Sequence, residues 1–278
     1  MMGDKHFIHS KANATMRGHM QDQKGHGRYG GAVELGLMWA SYAVMVLCNG
    51  LFETLHLAGT TANQVANEVF VWFMPAGYAF AIWGLIYIAL AVWLVRYTVT
   101  VRDIPMQGIS AMAKLFAASC VLNVAWLTLF HFRLVSFAML VLIGLWGVVM
   151  AMYRIMHDTA EAPADRIPLS LYTAWLTVAL VVNATCLITR FFNGGIALLN
   201  GPSSLVIAAG VLALGFILYR AFDDVVFSAV TIWAVVGVGV HVMPVSMIAA
   251  VAMFIMAVFF SAAAVVYAVV KSPVPGIR

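Results

Sequence analysis

Six side chains within apolar stretches of the sequence combine aromatic rings with amide or hydroxyl groups: Trp83, Tyr87, Asn123, Trp126, Trp175 and Asn183. If these stretches are helical, Trp83 and Tyr87 share one face, because residues three or four apart are neighbours on a helix. Asn123 and Trp126 share a face of their stretch for the same reason. Trp175 and Asn183 are eight residues apart, about 80° around a helix, so both can face one broad cavity.

The chemistry that this set suits is non-covalent binding. Rings stack on flat apolar molecules, and amides form hydrogen bonds with a polar edge. Two alternatives stay open: the asparagines link helices through hydrogen bonds worth about 0.6 kcal/mol in a membrane, and the rings fill a core that holds no ligand. The sequence contains no nucleophile–base motif, phosphate-binding loop, HExxH motif or dinucleotide fingerprint. It therefore does not favour an enzyme, a metal site or a required cofactor.

The ionisable residues are few, and two pairs of them attract attention. Glu53 and His56 lie three residues apart near the end of the first apolar stretch and can share a face. They are a candidate secondary polar site for a proton relay or a ligand edge, and an ion pair at the membrane interface is the alternative. Asp223 and Asp224 lie in a short polar connection beside Arg220, where we expect a solvated hinge.

The elements that must position these residues follow from the composition. Hydrophobic residues make up 64% of the chain and charged residues 9%, whereas soluble domains carry about 25% charged residues. A helix of about 20 apolar residues crosses the hydrocarbon core of a bilayer. This length predicts eight spans, near 35–57, 75–95, 111–130, 135–155, 168–190, 204–220, 225–242 and 245–270. The sequence therefore predicts an all-α, polytopic membrane helix bundle.

The lysines and arginines are dispersed at the ends of the apolar stretches, so nucleic-acid binding is not expected. With both termini placed in the cytoplasm, thirteen of the fifteen lie on the cytoplasmic side, and Arg133 and Arg190 lie outside. Cytoplasmic loops of membrane proteins carry such an excess of basic residues. The distribution predicts a multi-pass protein of a bacterial inner membrane with both termini cytoplasmic.

Three segments are predicted along the chain. Residues 1–34 are polar and contain four irregularly spaced histidines, which is typical of a disordered cytoplasmic tail rather than a metal site. The run "FFNGGIALLNGP" after span five cannot continue a helix and marks a border. Residues 35–192 are expected to form a five-helix unit, and residues 193–278 a three-helix extension with a short C-terminal tail.

Three segments, "PAGYAFAIWGLIY", "LNVAWLTLFHF" and "PLSLYTAWLTVALVVN", resemble signature segments of the TspO family, also called translocator or tryptophan-rich sensory proteins. The matching positions are Pro75, Trp83 and Tyr87 in span two, Leu122, Asn123, Trp126, Leu129 and Phe130 in span three, and Pro168, Trp175 and Asn183 in span five. The resemblance covers residues 35 to 192. The last three spans have no counterpart in the five-helix members of that family.

The resemblance implies a five-helix bundle around a pocket that binds tetrapyrroles such as protoporphyrin, or sterol-like molecules. The six residues of the opening set would then line the pocket among helices 2, 3 and 5. The leading hypothesis is an integral-membrane sensor or carrier that binds a flat hydrophobic ligand, with a bound tetrapyrrole favoured. Its expected surroundings are membrane lipid, with a homodimer or a second membrane protein as candidate partners.

Two other functions stay open at this stage. In one, the protein is a secondary transporter of a small hydrophobic or amphipathic substrate, and Glu53 with His56 couples transport to protons. In the other, it is a scaffold whose three additional helices dock a partner. The natural ligand and the direction of any transport do not follow from the sequence.

Overall fold

The computed structural model describes residues 31–55, 59, 64–65, 68, 70–101, 109–159, 163–192, 201 and 203–271. Within these residues eight helices are long and apolar enough to cross a membrane, and no strand occurs. They are α1 (Gly31–Leu55), α2 (Ile82–Val101), α3 (Ala111–His131), α4 (Val135–Thr159), α5 (Ile167–Phe191), α6 (Ser203–Phe222), α7 (Val225–Val242) and α8 (Met247–Lys271). The predicted all-α fold class and its eight spans are confirmed.

The segments predicted to flank the spans fall mostly outside the described residues. These are the N-terminal tail, of which only 31–34 are described and helical, the break after span five, and the C-terminal tail. A 3-10 helix at Gly77–Ala81 leads directly into α2. Short connections join several other helices, such as the turn after α3, where Arg133 adopts a positive φ of 63°.

Two helices form the centre of the bundle. In the most apolar window of both α5 and α7, 56% of the residues are buried, against 22% in α1. Helix α5 packs against α2, α4 and α7, and α7 packs against α5, α6 and α8. On the outer surface large apolar side chains such as Leu47, Ile88 and Val121 are more than 60% exposed, as lipid-facing residues of a membrane helix are.

The two ends of the bundle differ in what lies there. We call the end where α1, α3 and α5 finish the first-loop end, because Glu68 of the connection between α1 and α2 lies there. Arg133 and Arg190 both contact the Glu68 carboxylate, at 2.6 Å and 3.1 Å. The opposite end carries a second ion pair, between Arg96 and Asp165 at 2.6 Å.

The predicted solvated hinge at residues 223 and 224 is wrong for Asp224. Its side chain is only 9% exposed and accepts hydrogen bonds from the hydroxyls of Tyr153 and Ser170. It also accepts a bond of 3.1 Å from the backbone N–H of Val226, which caps the first turn of α7. A buried carboxylate is stable here because donors from α4, α5 and α7 surround it, and these bonds tie α7 to α4 and α5.

Candidate functional site

A cavity of about 360 Å³ lies among α1, α2, α3 and α5, within the range of about 300–1,000 Å³ typical of small-molecule pockets. Its wall is formed by Val46, Asn49, Gly50 and Glu53 of α1, Pro75, Phe80, Trp83, Gly84 and Tyr87 in and before α2, Trp126, Leu127 and Phe130 of α3, and Trp175, Val178, Ala179, Val182 and Asn183 of α5. Five of the six residues singled out in the sequence lie on this wall, and the sixth, Asn123, does not.

Aromatic rings form two contacting groups on the wall, one from α2 and α3 and one between the 3-10 helix and α5. The ring of Trp83 stacks on that of Tyr87, with centroids 5.8 Å apart, and lies 5.8 Å from the ring of Trp126. Trp126 in turn stacks on Phe130 at 5.9 Å. On α5, Trp175 meets Phe80 edge to face at 6.1 Å. These spacings fall in the range of about 4.5–7 Å in which aromatic pairs attract each other.

A chain of hydrogen bonds fixes the polar groups beside these rings. The Tyr87 hydroxyl donates to Asn49 Oδ1 at 2.8 Å, and Asn49 Nδ2 donates to Asn123 Oδ1 at 2.9 Å. Asn123 Nδ2 then donates to the Tyr172 hydroxyl at 3.1 Å. Asn123 is fully buried and lies behind the wall, so in this arrangement its amide joins α1, α3 and α5.

Three wall residues carry buried polar atoms that have no hydrogen-bond partner within the described part of the chain: Trp126 Nε1, Trp175 Nε1 and Asn183 Oδ1. The Asn183 amide is oriented by its Nδ2, which donates to the carbonyl oxygen of Ala179 at 2.8 Å. The carbonyl oxygen of Ala179 can only accept a hydrogen bond, so the amide group that faces it is the NH2. Oδ1 is therefore the amide atom that has no partner among the described residues. Unpartnered buried polar groups are uncommon in native proteins, and these three lie where the polar edge of an otherwise apolar occupant can reach them.

The secondary polar site contains one predicted residue and one that was not selected. Glu53 lies on the wall, whereas its predicted partner His56 lies outside the described residues. The nearby imidazole is instead that of His131, which is fully buried, with Nε2 3.8 Å from Glu53 Oε1. This separation is too long for a hydrogen bond. The His131 ring also packs on Phe52, with centroids 4.8 Å apart.

Helix α7 holds the chain segment that precedes α2, which includes the wall residues Pro75 and Phe80. The backbone N–H of Ala76 donates to the carbonyl oxygen of Gly237 at 2.9 Å. The Trp233 indole donates to the carbonyl oxygen of Ala79 at 3.1 Å. A Cβ at position 237 would lie only 3.0 Å from Ala79 Cβ and 3.2 Å from Pro75 Cβ. The close contact between α7 and residues 75–79 therefore depends on glycine at position 237.

The same helix extends this contact toward the first-loop end. His241 Nε2 lies 3.2 Å from the carbonyl oxygen of Val71, and its ring stacks on Phe70 with centroids 5.1 Å apart. The carbonyl can only accept, so Nε2 carries the proton. A helix of the predicted extension thus contacts residues 70–79 at several points.

A family model described as TSPO-like protein matches residues 36–265 of this chain. The match begins in α1 and ends within α8. The chain belongs to the TSPO-like protein family. Searches of curated proteins and of solved structures found no match.

Family membership and eight apolar helices make this TSPO-like chain a multi-pass integral membrane protein. The family match also runs beyond residue 192, where the resemblance recognised in the sequence ends. Helices α6 and α7 and most of α8 therefore lie within the matched region. That extent agrees with the contacts between α7 and the cavity wall.

Sequence reasoning missed several residues of the TSPO-like site. Tyr172, which ends the hydrogen-bond chain, lies eleven residues before Asn183 and thus within about 20° of it around a helix. This periodicity could have identified it. Asn49 lies four residues before the predicted Glu53 on α1, and it also reaches the wall. Gly237 and Trp233 carry no comparable signal, because their role depends on a contact between distant parts of the chain.

No three His, Cys, Asp or Glu side chains of the described residues are grouped as metal ligands.

Proposed function

We propose that this TSPO-like protein is a membrane sensor or carrier that binds a flat hydrophobic ligand, with a tetrapyrrole as the favoured class. The observation that carries the proposal is that rings of Trp83, Trp126 and Trp175, from three different helices, line one cavity. Aromatic rings that only faced lipid would gather at the two membrane interfaces instead.

The physical fit of such a ligand rests on shape and on polarity. A porphyrin is a flat apolar plate with polar groups at its edge, and each aromatic contact contributes about 0.5–1.5 kcal/mol beyond burial of area. The unpartnered indole N–H groups and Asn183 Oδ1 offer donors and an acceptor around the cavity. Gly50 and Gly84 add wall positions without side chains, which leaves room for a plate between α1 and α2.

The test is a titration of a porphyrin into the purified protein in an uncharged detergent, followed by tryptophan fluorescence. The proposal predicts saturable quenching at micromolar ligand. The Trp83→Leu variant is expected to weaken binding, whereas Trp146→Leu should not. Trp146 is a suitable control because it lies on α4 outside the wall and donates to Thr177 Oγ1 at 2.9 Å. Absence of saturable quenching, or equal loss in both variants, would contradict the proposal.

The orientation in the membrane is part of the proposal. The distribution of lysines and arginines supports a bacterial inner-membrane protein with cytoplasmic termini, which places the first-loop end outside. The two arginines on that side, Arg133 and Arg190, are both paired with Glu68. Labelling of single cysteines introduced at Glu68 and Asp165 with an impermeant reagent tests it, and labelling of position 165 in intact cells would contradict it.

A second candidate function is proton-coupled secondary transport of a small hydrophobic or amphipathic substrate. The observation that favours it is a carboxylate on the cavity wall, Glu53, with the buried imidazole of His131 3.8 Å away. Reconstituted liposomes would then show ligand-dependent proton flux that Glu53→Gln abolishes. Ligand binding without proton flux would reject this function and leave the first proposal intact.

A further inference from the structure

Two arginines converge on one carboxylate at the first-loop end of the bundle. Arg133 binds Glu68 Oε1 through its Nε at 2.7 Å and its Nη2 at 2.6 Å. Arg190 Nη2 donates to the other oxygen, Oε2, at 3.1 Å. Guanidinium donors from two segments thus hold both oxygens of the carboxylate. Because guanidinium groups recognise carboxylates in general by such charge-assisted contacts, this arrangement suits a carboxylate of a ligand as well as that of Glu68.

The arginine pair lies beyond the cavity wall in the direction of the first-loop end. On α5, Arg190 follows the wall residue Asn183 by seven residues. Seven residues are about two helical turns, so the two share a face of α5 and are about 10 Å apart along its axis. Arg133 follows the wall residue Phe130 by three residues, in the turn after α3. Carboxylates at the edge of a plate that stacks on this wall can therefore approach the two guanidinium groups.

The contact with Glu68 can be exchanged for another. The side chains of Arg190, Glu68 and Arg133 are 25%, 30% and 45% exposed, and ion pairs that solvent reaches contribute little to stability. Two guanidinium groups and one carboxylate also leave this group of three side chains with a net positive charge, which attracts a further anion. Glu68 is the only acidic residue of the sequence between positions 54 and 102, so no other acid of this connection can replace it.

We propose that Arg133 and Arg190 form a binding site for the carboxylate edge of the ligand, and that Glu68 competes with the ligand for this site. The inference rests on the proposed function, because it specifies the ligand of the same cavity as a flat apolar molecule that carries a carboxylate. The rings of α2, α3 and α5 hold the plate, and the arginines at the ends of α3 and α5 hold its charged edge. Exchange of one carboxylate for the other keeps both guanidinium groups paired.

The experiment compares two porphyrins that share one macrocycle, protoporphyrin with its carboxylates and its neutral dimethyl ester. Each is titrated into the full-length protein in an uncharged detergent, and its dissociation constant is measured from fluorescence quenching. The readout is the dissociation constant of the ester divided by that of protoporphyrin, because a change in the cavity itself alters both constants together. For the wild-type protein this ratio should fall as salt is added, since salt screens partly exposed charges.

Three variants locate the effect. Glu68→Gln removes the competing charge and should raise the ratio about three- to fivefold, the size of a partly exposed ion pair. Arg133→Gln removes half of the site and should lower the ratio by a similar factor. Asp165→Asn is the matched control, because it releases Arg96 from an ion pair of 2.6 Å at the opposite end of the bundle, and it should leave the ratio unchanged. Retained binding of the ester shows that each variant is folded.

The outcomes separate this inference from the proposed function. If Glu68→Gln leaves the ratio unchanged or lowers it while the ester still binds saturably, the inference is overturned and the cavity remains a site for flat ligands. An equal rise of the ratio in Asp165→Asn would mean that total charge sets the preference, which would overturn the inference as well. No saturable binding of either porphyrin to the wild-type protein would overturn both.

Discussion

The cavity and the packing around α7 are built in opposite ways. Around the cavity, bulky rings leave about 360 Å³ open, and several buried polar atoms lack hydrogen-bond partners among the described residues. Around α7, glycines let helices approach so closely that added carbon atoms would collide. A Cβ at Gly215 of α6 would lie 2.1 Å from Thr231 Oγ1, and one at Gly239 would lie 2.6 Å from the Phe254 ring.

The difference indicates a division of roles within one bundle. Close packing at α7 stabilises the fold, because membrane helices rely on van der Waals contact between small residues for their association. The cavity leaves such contacts unmade, and under the proposed function a ligand makes them. Substitutions at α7 should therefore affect stability more than ligand binding, and substitutions on the cavity wall should affect ligand binding more than stability.

The largest expected effect is on stability, from Gly215→Val. The new side chain would overlap the buried Thr231 side chain, and overpacking of this kind costs about 1–3 kcal/mol or more. Thermal unfolding in detergent should show a clearly lower midpoint. Gly210→Val on the same helix is the control, since no atom of the described residues lies within 4 Å of a Cβ there. Equal midpoints for the two variants would mean that α6 and α7 do not pack closely.

A second substitution tests the contact between the two regions. Gly237→Val should push Ala79 and Pro75 away from α7 by a few tenths of an ångström or more, because a Cβ there lies 3.0 Å from Ala79 Cβ. We expect a stability loss of about 1–3 kcal/mol together with weaker porphyrin binding, since Pro75 and Phe80 line the cavity.

The matched control for this substitution is Gly239→Val. It introduces the same side chain on the same helix but toward Phe254 of α8. It should lower the unfolding midpoint without changing the dissociation constant of the porphyrin. If Gly237→Val also left binding unchanged, α7 would have no part in shaping the cavity.

The features that the sequence predicts are those set by residues close together along the chain, and contacts between distant residues are not predicted. The eight spans follow from local composition, because each helix must cover the same apolar thickness. The faces of Trp83 with Tyr87 and of Asn123 with Trp126 follow from helical periodicity. Periodicity gives a direction around a helix but no distance, so Asn123 and a wall residue such as Trp126 looked equivalent.

The parts that the sequence did not reveal are contacts between distant segments. From the sequence alone, Asp224 is expected to be a solvated loop carboxylate like Asp223. It is buried only because α4 and α5 pack there and bring the hydroxyls of Tyr153 and Ser170 to it. His131 is 78 positions from Glu53 along the chain, so its proximity could not be read from spacing. Gly237 resembles any glycine of an apolar helix until Pro75 and Ala79 are placed against it.

The smallest expected effect comes from Tyr87→Phe. The substitution keeps the ring on the wall and removes the hydroxyl that donates to Asn49 Oδ1 at 2.8 Å. Hydrogen bonds between membrane helices average about 0.6 kcal/mol, so the unfolding midpoint should fall slightly and porphyrin affinity should change little. Tyr78→Phe is the control, because Tyr78 packs edge to face on Trp233 outside the cavity wall. A large loss of affinity would mean that the hydroxyl itself contacts the ligand.

The central claim is that the rings of α2, α3 and α5 bind a flat ligand in one cavity. The most direct measurement is the absorption spectrum of a porphyrin titrated into the purified protein, with empty detergent micelles as reference. The account predicts a shift of the main porphyrin band that saturates at one ligand per chain and is lost in Trp83→Leu. A shift that grows without saturation and matches that in empty micelles would contradict it.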